Sequence, residues 1–167
     1  MDYSRNARLE IEKEEINFNE LLSEISNNLR FMGDPAKRQV DIRVNIAQDN
    51  LFYSDRNRLT IILNNLVSNA IRYQNEAIPD PFVDIQVNID DKSANISISD
   101  NGIGIPKQFQ DKIFEMFFRV SKNTTGSGLG LYIVKEAIEK LNGKIELSSE
   151  EGKGSTFNIY LKNLVSA

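Results

Sequence analysis

The sequence predicts an α+β fold, a two-layer sandwich in which one β-sheet carries helices on one face. Three observations predict it. Segments such as Val40-Asp41-Ile42-Arg43-Val44-Asn45-Ile46 alternate apolar and polar residues, which marks strands with one buried face. Between such segments, apolar residues recur at helical spacing, so each helix has one face to bury. Turn signals at Asp90-Asp91-Lys92-Ser93 and Gly152-Lys153-Gly154 join neighbouring strands. Helices stacked on the apolar face, with water on the other, bury both kinds of element at once.

Taken in order, residues 1–14 (MDYSRNARLEIEKE) are dense in charge and read as the end of an upstream helix or a linker. Residues 15–164 are expected to form one domain. Glu15–Asn17 reads as a short strand. Leu21, Leu22, Ile25 and Leu29 repeat at helical spacing with Asn19 placed to cap, giving a helix over about 19–32 that Gly33-Asp34-Pro35 breaks. The strand at Val40–Ile46 follows. Asp55 caps a second helix, about 55–73, with Leu59, Ile62, Leu63, Leu66, Ala70 and Tyr73 on one face. After a loop at Ala77–Pro81, Val83–Ile89 and Ile96–Ile98 alternate as strands. Pro106 opens a short helix with Ile113, Phe114, Phe117 and Phe118 on its apolar side. Residues 120–125 are polar loop. A last helix covers about 128–141 and stops at Asn142-Gly143. Ile145 and Leu147, then Phe157, Ile159 and Leu161, mark two closing strands.

Composition removes several classes of function. The chain has 167 residues, 40% hydrophobic and 26% charged, enough for one domain with a true core. A net charge of −4 without a basic run argues against nucleic acid and against direct membrane contact. With no cysteine, thiol catalysis, thiolate metal sites and disulfides are excluded. With no histidine, imidazole is unavailable as base, nucleophile, zinc ligand or phosphate acceptor. No signal-peptide pattern or apolar run of about 18 residues stands out, so a cytoplasmic placement is expected.

Three stretches remain that a plain core does not need. On the second helix, Asn65, Asn69 and Arg72 share one face beside the apolar stripe, with Asn69 nearest the core edge by the helical wheel. They read as surface polar residues or as a set that ligates a hard cation and balances phosphate charge. Asp100 has the strand parity of Ile96 and Ile98, so it points to the buried face. A buried carboxylate needs hydrogen bonds. Asp100 is therefore a cap for the following turn or an acceptor for a ligand amine, with Gly102 and Gly104 leaving room for a flat ring. Gly126, Gly128 and Gly130 precede an apolar helix, as a glycine-rich turn or as backbone N–H groups that hold an anion. The run is neither a Walker A loop, since no Gly-Lys-Ser/Thr ends it, nor a Rossmann fingerprint, since no strand leads into it.

In this order the stretches resemble the catalytic ATP-binding domain of sensor histidine kinases, of the Bergerat-type superfamily shared with gyrase-like topoisomerases. Asn65-Leu66-Val67-Ser68-Asn69-Ala70-Ile71-Arg72-Tyr73 resembles the N box and Asp100 to Gly104 the G1 box. Ile113 to Arg119 resembles the F box, and Gly126-Ser127-Gly128-Leu129-Gly130-Leu131 the G2 box. Gly152-Lys153-Gly154-Ser155-Thr156-Phe157 resembles the last box, and the likeness spans about residues 15–162. It implies a mixed, mostly antiparallel sheet and a site for ATP with Mg²⁺. Asn69 would ligate Mg²⁺ with Asn65 beside it, and Asp100 would hold the adenine amine. Arg72, Tyr73 and Ile105 would flank the nucleotide, Arg119 would reach the γ-phosphate, and Gly128 to Gly130 would cradle phosphate. Ser155 and Thr156 would lie near the base. The chain departs from the family pattern at Arg72, usually Lys, at Ser127, often Thr, and in a short lid between Arg119 and Gly126.

Hydrolysing members of the superfamily carry Glu one turn before the Mg²⁺ asparagine, and here that position is Asn65. An amide is no general base for water, whereas neutral imidazole is already a nucleophile. The resemblance thus implies transfer of the ATP γ-phosphate to a histidine on a separate dimerisation domain of the same parent protein, with a response regulator downstream. Two other readings keep the same site: a serine kinase of the anti-sigma-factor type, and a nucleotide-binding interaction module without transfer.

Overall fold

A computed structural model describes residues 10–30, 39–120 and 128–164. In chain order its elements are β1 (Lys13–Glu15), α1 (Phe18–Leu29), β2 (Asp41–Gln48), β3 (Tyr53–Asp55), α2 (Arg56–Arg72), β4 (Phe82–Ile89), β5 (Ser93–Asp100), α3 (Gly130–Lys140), β6 (Lys144–Glu150) and β7 (Gly154–Lys162), with one 3-10 turn at Lys107–Phe109. The main sheet runs β2-β4-β5-β7-β6. All its pairs are antiparallel except β2–β4, a parallel pair whose crossover contains α2.

The helices cover one face of this sheet. Val83, Ile85, Val87 and Ile89 of β4 are buried, while Gln86 and Asn88 between them are exposed. Against the strands pack Leu21, Leu22 and Ile25 of α1, Leu59, Ile62, Leu63 and Leu66 of α2, and Val134, Ala137 and Ile138 of α3. Each such buried leucine or isoleucine stabilises the fold by about 1.5–3 kcal/mol. The other face is a polar ladder across five strands, Asn45, Gln86, Ser97, Asn158 and Glu146 standing in register.

Asp55 fixes the start of α2. Its Oδ1 accepts from the Arg58 N–H at 3.0 Å as the helix cap. Its Oδ2 accepts from the Glu12 N–H at 3.1 Å and from the Arg58 guanidinium at 2.5 Å, and both side chains are buried. The pair β1–β3 thus straps the incoming chain to the root of α2. Among the described residues Ser54, on the same strap, has the one fully buried hydroxyl without a hydrogen-bond partner.

Several elements differ from the sequence expectation. The first helix starts at Phe18, and its cap is Asn17, whose Oδ1 accepts from the Glu20 N–H at 3.1 Å. Asn19 is an exposed helical residue, because Phe18 must enter the helix to bury its ring against Phe52. β1 begins two residues before the expected strand, and Ile11 packs on the core. Pro106 opens only the 3-10 turn. Ile113 is buried, and Phe114 and Phe118 partly so. Phe117 instead turns outward with φ +64°, because its N–H donates to the Gly128 carbonyl and pulls the chain round. At the end of α3 it is Asn142, not Gly143, that takes the left-handed conformation. The expected break at Gly33-Asp34-Pro35, the loop over 121–125 and most of the N-terminal segment (1–9) lie outside the described residues.

Candidate functional site

Where α2, the start of α3, the end of β5 and residues 113–120 meet, they enclose a cavity of ≈ 350 Å³. The polar stripe of α2 lines it with Asn65, Asn69 and Arg72, followed by Tyr73. Asn65 is the most buried of the stripe at 6% exposed, which differs from the wheel's placing of Asn69 nearest the core. The reason is tertiary: α3 docks on α2 at Gly130, where a Cβ would stand 3.1 Å from the Asn65 Oδ1. The Asn65 Nδ2 donates to the Ile61 carbonyl at 2.7 Å, which fixes the amide and turns its oxygen toward α3.

Gly128, Gly130 and Leu131 bring the start of α3 to the cavity. Leu129 is the cap, and no side chain caps the helix. A helix start without a capping side chain presents N–H groups and the positive end of the helix dipole. Gly128, at φ +77°, is required by the protein itself, since a Cβ would stand 2.7 Å from the Phe117 carbonyl carbon. Two residues after Phe117, Arg119 lines the cavity and is exposed, as is Arg72.

On the sheet side, Asp100 lines the cavity at the end of β5 and is half-buried. Its Oδ1 accepts from the Gly102 N–H at 2.9 Å, so the carboxylate both caps the turn and faces the cavity. Desolvation pushes its pKa above the ordinary value of 3.8, and the backbone N–H groups of Gly102 and Ser155 pull the other way. The following loop is tied at both edges. The Ile103 N–H donates to the Tyr73 carbonyl at 3.0 Å, and the Ile103 carbonyl accepts from the Gly152 N–H at 2.7 Å. The two loop glycines serve these close approaches rather than a ring. A Cβ on Gly102 would overlap the Tyr73 carbonyl, and one on Gly104, at φ +69°, the Glu150 carbonyl.

Of the residues singled out from sequence, Asn65, Asn69, Arg72, Tyr73, Asp100, Gly104, Ile105, Arg119, Gly128, Gly130 and Leu131 line one cavity. Gly102 is buried beneath Tyr73, and Leu129 does not line the cavity. Thr156 points to the opposite face of the sheet, where its hydroxyl meets that of Ser99 at 2.8 Å. Gly126 and Ser127 lie outside the described residues. Sequence reasoning missed the apolar wall of Ile103, Ile113, Phe118 and Phe157. A hydrophobic pattern does not distinguish a side chain that faces a cavity from one that fills the core.

The lining combines an apolar wall, a carboxylate, two arginines, the fixed amide of Asn65 with that of Asn69, and a helix N-terminus. That set matches a flat ring bearing an amine and joined to a polyanion. Among the described residues no cluster of three or more His, Cys, Asp or Glu could hold a metal ion. None of the described helices is long and apolar enough to cross a membrane.

Comparison with known proteins shows the family and the fold. The family described as histidine kinase-, DNA gyrase B-, and HSP90-like ATPase matches residues 54–164. The sensor histidine kinase WalK of Bacillus subtilis is 38% identical over 130 residues, covering 75% of this chain and 21% of that protein. The histidine protein kinase SaeS of Staphylococcus aureus is 41% identical over 130 residues, covering 74% of this chain and 36% of that protein. The chain therefore spans a minor part of the relatives it matches. The solved catalytic domain of the histidine kinase ThkA superposes with a TM-score of 0.69 at 29% identity, covering 91% of this chain and 98% of that one. Full-length ShkA, solved with AMPPNP, superposes with a TM-score of 0.81 at 21% identity over 99% of this chain and 35% of its own, a likeness of fold. The chain belongs to the histidine kinase-, DNA gyrase B-, and HSP90-like ATPase family, as a catalytic ATP-binding domain of the sensor histidine kinase kind.

Proposed function

We propose that this domain, residues 15–164, binds ATP with Mg²⁺ in the cavity at α2. It transfers the γ-phosphoryl group to a histidine on a separate dimerisation domain of its parent protein. A response regulator then takes the phosphoryl group. The observation that carries this reading is the buried, hydrogen-bonded amide of Asn65 on the wall shared with the start of α3. A hydrolase needs a base at that wall, and an amide cannot accept the water's proton.

Asp100 would accept the adenine amine, and Ile105 and Tyr73 would flank the base. Arg72 and Arg119 would balance phosphate charge, with Gly128 to Gly130, and the adjoining Gly126 and Ser127, at the phosphates. The donor set suits Mg²⁺ shared with the nucleotide, because that ion binds through one or two protein oxygens and substrate phosphates rather than an all-protein cage. Asn69, with Asn65 beside it, would hold the ion. Bound there, Mg²⁺ would neutralise charge on the phosphate oxygens. The remaining work of the chain is positioning: amides, arginines and helix N–H groups hold the phosphates in line with an incoming imidazole. The imidazole must come from elsewhere, since the chain has no histidine.

The test mixes the domain with its cognate dimerisation domain and labelled ATP. Acid-labile label on the acceptor histidine is expected, and is lost in Asn69→Ala and Asp100→Ala. Acid-stable label would instead indicate a serine kinase. ATP binding without any transfer would indicate a nucleotide-binding module.

A further inference from the structure

Behind the carboxylate of the cavity floor stands a row of side chains that crosses three strands. Asp100 of β5 pairs in register with Ser155 of β7, and Ser155 pairs with Ser149 of β6. Residues paired across strands point to the same face, so the three lie side by side. Asp100 and Ser155 line the cavity, and Ser149 does not. Ser155 is buried, at 8% exposed, and Ser149 is half-buried.

The Ser149 hydroxyl is held on every side. Its oxygen accepts from the Ile105 N–H at 2.8 Å. It lies 2.9 Å from the Gly154 carbonyl, to which it donates, and 2.8 Å from the Ser155 hydroxyl. Gln110 locks the surrounding backbone, its Nε2 donating to the Ile105 carbonyl at 2.9 Å and to the Ser149 carbonyl at 3.0 Å. A hydroxyl has one proton and two lone pairs. The short contacts of Ser149 with Gly154 and with Ser155 each need a proton between the oxygens. A carbonyl has none to give, so the Ser149 proton must occupy the contact with Gly154. The contact between the serines is then filled by the Ser155 proton. Every donor and acceptor position of Ser149 is used in this arrangement, and no other leaves both contacts bonded.

We infer that Ser149 is a positioning residue for base selection: by taking the Ser155 proton, it leaves Ser155 showing only lone pairs to the cavity. Together with the Asp100 carboxylate, the floor then presents acceptors and no side-chain hydroxyl donor. Such a floor favours an exocyclic amine, as on 6-aminopurines, because its two N–H groups can meet both acceptors, and it repels the 6-oxo oxygen, which has no proton to offer in the same place. A site that pairs a polar ligand group discriminates strongly because a mismatch leaves buried groups unpaired. This rests on the nucleotide reading of the cavity.

The test measures the binding of ATP and ITP, the 6-oxo analogue, by calorimetry with Mg²⁺. The wild-type domain is expected to prefer ATP. Ser149→Ala frees the Ser155 proton to turn into the cavity, and is expected to narrow the ATP-over-ITP ratio roughly tenfold, the worth of about one hydrogen bond. Ser149→Thr keeps the hydroxyl and is expected to keep the ratio. A purely structural Ser149 would weaken both nucleotides together, so an unchanged ratio in Ser149→Ala overturns the inference, as does a wild type without preference. Wild type that binds neither nucleotide overturns the nucleotide reading itself, a distinct outcome. Should Ser149→Ala fail to fold, proton NMR of the wild type decides. The buried Ser155 hydroxyl proton is expected to show a through-space contact to the Ser149 Hβ atoms with and without ATP. Loss of that contact on adding ATP refutes the assignment.

Discussion

Gly130→Ala separates stability from binding at one atom. The added Cβ would stand 3.1 Å from the Asn65 Oδ1, a few tenths of an ångström too close. Asn65 cannot swing aside freely, because its Nδ2 is bonded to the Ile61 carbonyl at 2.7 Å and the residue is 6% exposed. Either that bond stretches or the start of α3 lifts from α2. Replacing helical glycine by alanine favours the fold by at most about 1 kcal/mol. Loss of the amide bond costs about 0.5–1.5 kcal/mol. The two nearly cancel, so urea unfolding should show a stability within about 1 kcal/mol of wild type. Binding has no such compensation, because the Asn65 oxygen and the helix N–H groups shift together. Each hydrogen bond to a charged phosphate is worth about 1.5–3 kcal/mol, so Mg²⁺-ATP affinity should fall at least roughly tenfold. Affinity within twofold of wild type, with the fold intact, would show that contact between α3 and Asn65 does not shape the site.

Other predictions concern the carboxylates and the strap. ATP affinity should fall as pH drops through the Asp100 pKa, with a midpoint above the ordinary 3.8, because burial raises that pKa and only the carboxylate is a pure acceptor. Calorimetry across pH checks this, and Asp100→Asn should remove the midpoint. In the unliganded domain the sign for stability is the reverse of most carboxylates. A raised folded pKa adds stability that is fully present below the unfolded value and is lost as pH rises through the folded one. Asp55→Ala should destabilise by about 3–5 kcal/mol, since it uncaps α2 and takes the carboxylate from the buried Arg58; a loss under about 1 kcal/mol in urea unfolding would contradict it. Ser54→Ala should stabilise by about 1 kcal/mol, because it removes a buried hydroxyl that makes no hydrogen bond; a lowered melting temperature would point to an unrecognised partner.

What was legible in the sequence was local. The Asp55 cap and the apolar face of α2 follow from spacing, and the structure has both. Period-two alternation likewise placed β4 and β5. Contacts distant in sequence escaped. The burial of Asn65 depends on where α3 lands, which no helical wheel contains. The left-handed turn at Phe117 depends on a bond to Gly128, across residues 118–127. Gly102 and Gly104 look alike in sequence whether they make room for a ligand or for Tyr73 and Glu150. Thr156 was avoidable. Ser155 shares the parity of Phe157, Ile159 and Leu161, so its neighbour had to face the other way.

The strap at β1 and β3 also sets how the domain bears load. Lys13 pairs with Asp55 and Glu15 with Tyr53, so the incoming end of β1 and the root of α2 lie at the same end of the ladder. Tension between the chain at residue 12 and α2 would therefore peel the strands apart from that end, loading the bonds one after another rather than all at once. The first to carry it are those converging on Asp55. A short ladder opened in this way yields at low force and closes again without unfolding the sheet, because β2, β4, β5, β7 and β6 share no strand with it. The root of the helix that bears Asn65 and Asn69 is thus the first part of the domain to feel a pull on the chain that enters it.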